Sequence, residues 1–121
     1  MTGLEIIGEA GLGILIMIAL DIIAGIVAAA SNGNIDSSKL RHGLFHKIGL
    51  ILAFALSVAL EWLEHSLPLG IDVPLVLPVS AYIILMEACS VYENIRAINP
   101  DFKFQSFEDL FKRKEKENDN E

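Results

Sequence analysis

Three long apolar runs alternate with polar segments along the chain. Run one covers about residues 4–30, run two about 47–63 and run three about 73–92. An α-helix needs about 20 apolar residues to cross the roughly 30 Å of hydrocarbon in a bilayer. Run two is short for this, and the distribution of charge described below favours a span over a buried soluble helix. The pattern predicts an all-α integral membrane protein with three transmembrane helices.

Turn-forming residues separate the runs. Ser31-Asn32-Gly33-Asn34 ends run one, and Leu67-Pro68-Leu69-Gly70 follows run two. A short separate helix is expected from Lys39 to His46, before run two begins. Pro74 and Pro78 fall in the first turns of run three, where proline is tolerated or produces a kink.

A polar tail, residues 96–121, follows a membrane domain of residues 1–95. Asn99-Pro100 should break the third helix, and Ser106 with Asp109 resembles a capping box. Apolar anchors of the tail are Phe102, Phe104, Phe107, Leu110 and Phe111. These anchors beside basic residues predict a short amphipathic helix on the cytoplasmic leaflet. The mixed-charge end from Glu115 onward is expected to be disordered.

The nine basic residues occupy only two segments, one between runs one and two and one after run three. The N-terminal segment and the connection between runs two and three carry acids and a histidine instead. By the positive-inside rule this places the N-terminus outside and the C-terminus in the cytoplasm. The cytoplasmic basic residues that are candidates for regulation are Lys39, Arg41, Lys47, Lys112, Arg113 and Lys114.

Asp21 lies near the middle of run one, where a charged side chain costs about 2.5–3.5 kcal/mol on insertion scales. Gly25 and Ala28 follow on the same helical face. Asp21 and Gly25 are therefore candidates for a subunit contact or for the wall of a pore. The alternative is a thin membrane, or a span shifted toward the N-terminus, that tolerates the acid.

Small residues recur every four positions on run two, at Gly49, Ala53 and Ser57, and lead to Glu61. Such spacing allows two helices to approach closely in lipid. The spacing predicts a packing face, and its partner can be a helix of the same chain or of another copy.

Glu87, Ser90 and Asn94 share one face of run three at helical spacing. They are expected to form hydrogen bonds between helices or to line a polar lumen. The alternative is that this segment lies at the cytoplasmic interface, where polar side chains cost little.

No catalytic, cofactor or metal-binding pattern emerges from the sequence. His42 and His46 have helical spacing, but no nearby carboxylate or thiolate completes a metal site. The net charge of −7 and the lack of a basic patch with aromatic residues argue against nucleic-acid binding. The residues leave open a subunit contact or pore that uses the buried acids, a small oligomeric transporter or ion-channel subunit using Asp21 and Glu87, and a structural scaffold.

Three elements in order resemble the toxin-secretion and phage-lysis holin family. Leu20-Asp21-Ile22-Ile23-Ala24-Gly25 is similar to its Leu-Asp-x-x-x-Gly element. Ser37-Ser38, then basic residues around Gly43 up to Lys47, is similar to the family's entry into span two. Glu87-Ala88-Cys89-Ser90-Val91-Tyr92-Glu93-Asn94 is similar to its Glu-x-x-Ser-x-x-Glu-Asn pattern. The N-terminal segment with Glu5 and Glu9 has no counterpart in this resemblance.

The resemblance implies a small protein that accumulates in the bacterial cytoplasmic membrane and associates with itself. Members of this family open lesions that release a muralytic enzyme or a toxin and collapse the membrane potential. The implied partners are other copies of the chain and the bilayer, and the released protein need not touch it. No enzyme activity and no cofactor are implied.

Overall fold

The computed structural model describes residues 2–119, without the side chains at positions 106, 107, 111, 114, 118 and 119. Four helices follow one another: α1 is Gly3–Ser31, α2 is Ser37–Ser66, α3 is Val76–Ile98 and α4 is Gln105–Asp119. No strand occurs among the described residues. The first three helices are long and apolar enough to cross a membrane. The predicted all-α chain with three candidate spans is confirmed.

Helices α1 and α3 run parallel and pack closely, while α2 runs antiparallel to both. A Cβ added at Gly13 would lie 3.3 Å from Cδ1 of Ile84, and one added at Gly25 would lie 3.6 Å from Nδ2 of Asn94. These two contacts advance along α1 and α3 in the same direction. At the centre, Ile14, Ile18 and Ile83 form the buried apolar core. The α1–α3 pair is therefore the main packing unit.

The distribution of polar and apolar side chains is inverted relative to a soluble protein. Many large apolar side chains point outward, among them Leu12, Leu52 and Tyr82. The buried polar residues, by contrast, are Asp21, Ser57, Ser80 and Glu87. Lipid is a good solvent for an apolar exterior, whereas a polar side chain at bilayer depth needs a partner within the protein.

Helix α2 is the least embedded of the three candidate spans. Ser57 is its one buried residue within the described chain. Leu50 and Phe54 are partly buried and pack against the core formed by α1 and α3. Leu52 and Leu56 on the opposite side are more than half exposed. The apolar side chains of α2 thus face mainly away from the other two helices.

The structure corrects the predicted starts of two helices and agrees with the predicted end of α3. The separate helix expected from Lys39 to His46 is wrong, because α2 begins at Ser37 and continues without interruption through run two. The Asp36 carboxylate caps its first turn by accepting a hydrogen bond from the Ser38 amide. Helix α3 begins at Val76, after Pro74, and ends at Ile98 beside the predicted Asn99-Pro100 break. Glycine at positive φ forms each connection, Gly33 before α2 and Gly70 before α3.

The C-terminal boundary also differs from expectation. Helix α4 continues through Asp119, so the disorder expected from Glu115 is wrong for residues 115–119. The predicted capping by Ser106, and the roles of Phe107, Phe111 and Lys114, concern side chains outside the described part of the chain. At the other end, Thr2 and Glu5 form a reciprocal capping box that starts α1.

Gly13→Leu should destabilise the α1–α3 pair by about 1–3 kcal/mol, the usual cost of overpacking. A branched side chain there must displace Ile84, which lies 3.3 Å from the added Cβ. Gly8→Leu is the control, because nothing lies within 4 Å of a Cβ at Gly8. Loss of helicity during a denaturing-detergent titration measures the difference. Equal stability of the two variants would contradict this packing.

Candidate functional site

The side chain of Lys47 lies between two carboxylates that come from the other two long helices. Its Nζ donates to Oδ2 of Asp21 on α1 at 2.6 Å and to Oε2 of Glu87 on α3 at 2.7 Å. The other oxygen of Asp21, Oδ1, accepts a hydrogen bond of 3.0 Å from Nδ2 of Asn94. We call Asp21, Lys47, Glu87 and Asn94 the acid–lysine cluster. It joins all three candidate spans through polar contacts at one level.

Antiparallel packing brings the cluster together because its charged members lie at matching distances from the helix ends. Asp21 is ten residues before the end of α1, and Lys47 is ten residues after the start of α2. Glu87 is eleven residues before the end of α3. At 1.5 Å of rise per residue, each lies roughly 15 Å from the same side of the bundle.

The charged side chains of the cluster are largely buried within the protein. The side chains of Lys47, Asp21 and Glu87 are 11%, 8% and 3% exposed. Two carboxylates and one ammonium group give a formal charge of −1, and Asn94 supplies a further donor to the surplus acid. Removing one partner of a buried ion pair costs about 3–5 kcal/mol, because the remaining charge stays buried. Lys47 is therefore the residue on which both acids depend.

A cavity of about 560 Å³ opens beside the cluster, between the first turns of α2 and the ends of α1 and α3. Its lining brings together five of the residues that the sequence analysis named as candidates for a subunit contact or a polar lumen: Asp21, Gly25, Glu87, Ser90 and Asn94. Lys39, His42 and His46 line it from α2. Within the described residues no group of three or more histidine, cysteine, aspartate or glutamate side chains could hold a metal ion.

The face predicted on run two is only partly covered within one chain. Ser57 is buried, and its hydroxyl donates to the carbonyl of Phe54 one turn earlier. Gly49 and Ala53 are exposed, and nothing lies within 4 Å of a Cβ added at Gly49. Glu61 accepts a hydrogen bond of 2.7 Å from the Leu75 amide, which fixes the connection to α3. Helices of the same chain thus leave the outer part of this face uncovered.

The candidate basic residues separate into two groups. Lys47 is held in the cluster, with its ammonium group turned to the two carboxylates rather than to the interface. Lys39 and Arg41 in α2 are exposed, as are Lys112 and Arg113 in α4.

A second polar network fixes the start of the tail, and the sequence did not predict it. The Tyr92 hydroxyl donates to Oε1 of Glu108 at 2.7 Å and accepts a hydrogen bond from the Phe104 amide at 3.0 Å. Arg96 donates to the same oxygen of Glu108 at 2.9 Å. The rings of Tyr92 and Phe102 meet edge to face with centroids 6.0 Å apart. This network, residues 92, 96, 102, 104 and 108, turns α4 back onto the end of α3.

The sequence held a signal for the acid–lysine cluster that the prediction did not use. The three charged residues lie at nearly equal distances from turns, which in alternating helices implies a common depth. No comparable signal identifies the Tyr92 network, because it depends on how the short connection at residues 99–104 folds.

Comparison with known proteins gives one result. A family model described as the bacteriophage holin family matches residues 7–105. The match covers most of α1, all of α2 and α3, and every member of the acid–lysine cluster. It confirms the family resemblance drawn from the three sequence elements. No curated protein and no solved structure matches the chain.

Lys47→Met should destabilise the bundle by about 3–5 kcal/mol, because two buried carboxylates lose their shared partner. The triple variant Asp21→Asn, Lys47→Met, Glu87→Gln should recover much of that loss, since no uncompensated charge remains. Lys39→Met, at an exposed position of the same helix, is the control. The midpoint of a denaturing-detergent titration measures the stability of each of the three variants. A Lys47→Met protein as stable as the control would show that the ion pairs contribute little.

Tyr92→Phe should loosen the tail, because it removes the hydroxyl that bonds both Glu108 and the Phe104 amide. The loss of about 1 kcal/mol expected for such a bond corresponds to roughly fivefold faster hydrogen exchange at Phe104. Tyr82→Phe is the matched control, because Tyr82 lies on the same helix and is 64% exposed. Mass-spectrometric exchange of the peptide spanning residues 99–108 tests this, and identical exchange in both variants would rule out the anchoring role of Tyr92.

Proposed function

The chain belongs to the bacteriophage holin family, and we propose from this premise that it assembles with its own copies in the bacterial cytoplasmic membrane and opens lesions there. These lesions release a muralytic enzyme, or an exported toxin, and collapse the membrane potential. The three helices long and apolar enough to cross a membrane support a multi-pass membrane protein. The released protein needs the opening alone, without a binding site on this chain.

The observation that carries the proposal is the acid–lysine cluster in an otherwise apolar bundle. While Asp21 and Glu87 hold Lys47, the single chain presents mainly apolar side chains to lipid. Such a protein can accumulate in the membrane without harm. Ser90 and Asn94, which line the cavity beside the charged groups, can face water once helices separate. The cluster thus supports both a stored state and a lesion with a polar lining.

Association between copies is supported by the exposed side of α2. Gly49 and Ala53 present little side-chain bulk on this side, and small residues allow close helix approach in lipid. The apolar side chains around them gain nothing from leaving lipid, because lipid is equally apolar. Shape and close backbone contact would therefore determine which helix packs there.

The proposed orientation places the N-terminus outside and the C-terminus in the cytoplasm, in accord with the distribution of basic residues. The tail is then cytoplasmic, and α4 lies along the inner leaflet. Phe102 and Phe104, which are 40% and 50% exposed beside Tyr92, can enter the interface there. Lys112 and Arg113 can meet lipid headgroups.

A transporter or ion-channel subunit is the second candidate from the sequence. Both acids that it would use already bind Lys47, so neither offers a vacant carboxylate for a transported cation. A carrier also generally encloses its path with more helices, often from repeated units. These observations favour the lesion, and the experiment below separates the two functions.

Induced expression beside a cytosolic muralytic enzyme that has no export signal tests the proposal. Cell density and membrane potential should stay constant through a lag and then fall abruptly, with lysis only when the enzyme is present. Slow depolarisation without lysis would indicate a small ion path, and no change in either quantity would indicate a scaffold. Either of these results would overturn the proposed function.

In the same assay Asp21→Asn should shorten the lag at equal protein levels. The variant keeps the shape of the side chain but removes one of the two charges that retain Lys47, so the stored state loses stability. Asp72→Asn, an exposed acid in the connection between α2 and α3, is the control. If both variants and the unmodified chain show the same lag, the acid–lysine cluster does not control the timing of lysis.

A further inference from the structure

We propose that α2 is exchanged between copies in the assembled lesion, so that Lys47 of one chain pairs with Asp21 and Glu87 of its neighbour. The proposal rests on the self-association proposed above and names the contact that creates it. The neighbouring copy would complete the acid–lysine cluster by supplying its lysine. The interface between copies would then use the same ion pairs that the single chain forms within itself.

The first argument is the weak attachment of α2 within its own chain. Among its described residues Ser57 is the one that is buried, and the partly buried Leu50 and Phe54 pack against the core. The α1–α3 pair, in contrast, shares the buried Ile14, Ile18 and Ile83. Separation of α2 from this pair therefore disturbs few apolar contacts. The two ion pairs of Lys47 are its strongest connection.

The second argument is charge complementarity. An α2 helix that leaves its own acids carries the unpaired ammonium group of Lys47, next to Ile48 and one turn before the apolar Leu50. Asp21 stays in place after this separation, because Asn94 holds it from within the α1–α3 pair, and Glu87 belongs to the same pair of helices. Unpaired charges in lipid are costly on both sides. Every other copy offers an identical pair of acids. After exchange each lysine of the assembly is therefore paired with two carboxylates again, although α2 has left its own chain's bundle.

The third argument is that the connections are long enough. Residues 32–36 join α1 to α2 and residues 67–75 join α2 to α3. Extended chain spans up to about 3.3–3.6 Å per residue, which gives roughly 17 Å and 30 Å. Packed helix axes lie about 8–10 Å apart. Both connections are therefore long enough for α2 to shift by one helix spacing while α1 and α3 remain packed, once the hydrogen bond from the Leu75 amide to Glu61 is released.

Single-cysteine chains test the exchange directly in the full-length protein. In a Cys89→Ala background, a chain with Gly11→Cys is co-expressed with a differently tagged chain carrying Phe54→Cys. These positions report the contact between α1 and α2, because a Cβ at Gly11 would lie 3.4 Å from Cε1 of Phe54. A short bismaleimide is added to cells before induction of lysis and again at lysis. Co-expressed Gly13→Cys and Ile84→Cys chains form the control, since they report the α1–α3 contact that should stay within one chain.

Exchange predicts a product containing both tags for the Gly11–Phe54 pair, several-fold stronger at lysis than before it. The Gly13–Ile84 pair should give little mixed product at either time. Absence of a mixed Gly11–Phe54 product at lysis would overturn the proposal. Equal mixed product from both pairs would also overturn it, because random collision or exchange of the whole bundle would then explain the links.

Complementation gives a second measurement. A Lys47→Met chain keeps the acids, and an Asp21→Asn, Glu87→Gln chain keeps the lysine, so each can complete the other only between chains. Co-expression should restore the abrupt lysis that neither variant gives alone. Two variants that both reach the membrane but never rescue each other would contradict exchange.

The cross-linking result is independent of the lysis result. Normal lysis by the unmodified chain without mixed Gly11–Phe54 product would refute exchange and leave the proposed lesion intact. Mixed product without any lysis would support exchange and refute the lesion. The two proposals can therefore fail separately.

Discussion

A lysine held between two carboxylates inside an apolar bundle is the constraint on which this protein depends. Neither acid can lie at this depth without a partner, and the single ammonium group of Lys47 serves both. That requirement fixes the relative level of three helices. It also explains why α2 remains in the bundle although most of its apolar side chains face away from it. In lipid the hydrophobic effect adds little to helix association, so specific polar contacts and close packing determine the arrangement.

The three helices contribute unequally to the packing of the bundle. Close contact between α1 and α3, at Gly13 with Ile84 and Gly25 with Asn94, produces a pair with its own buried core. Helix α2 is added to that pair mainly through the cluster and a few core contacts. A bundle built in this way has one closely packed pair and one loosely attached helix. In the lesion proposed above, α2 would be the helix that moves.

The tail is also positioned by a small network of polar contacts. Tyr92 is buried at the end of α3, and its hydroxyl organises the Phe104 amide and the Glu108 carboxylate at the start of α4. Arg96 balances the charge of Glu108. The orientation of α4 thus begins at a fixed point of the third helix, although the helix itself is strongly polar.

The sequence by itself determined the class of the protein. Apolar run length predicted three candidate spans, and three ordered elements placed the chain in the family that the family model confirms. Both depend on local composition and spacing, which need no tertiary contacts. The sequence also marked Asp21 and Glu87 as unusual, because charge at bilayer depth is costly wherever the helices pack.

Only the tertiary structure decided what those acids contact. Lys47 belonged to the basic segment between two runs, and its pattern alone indicated a position at the interface. Its pairing with both acids arises because antiparallel packing brings residues 26 and 40 positions away to the same level. The Tyr92 network likewise exists because a short connection folds α4 back. Long-range contacts of this kind depend on how each helix is rotated about its axis and on which helices are neighbours, and a local pattern encodes neither.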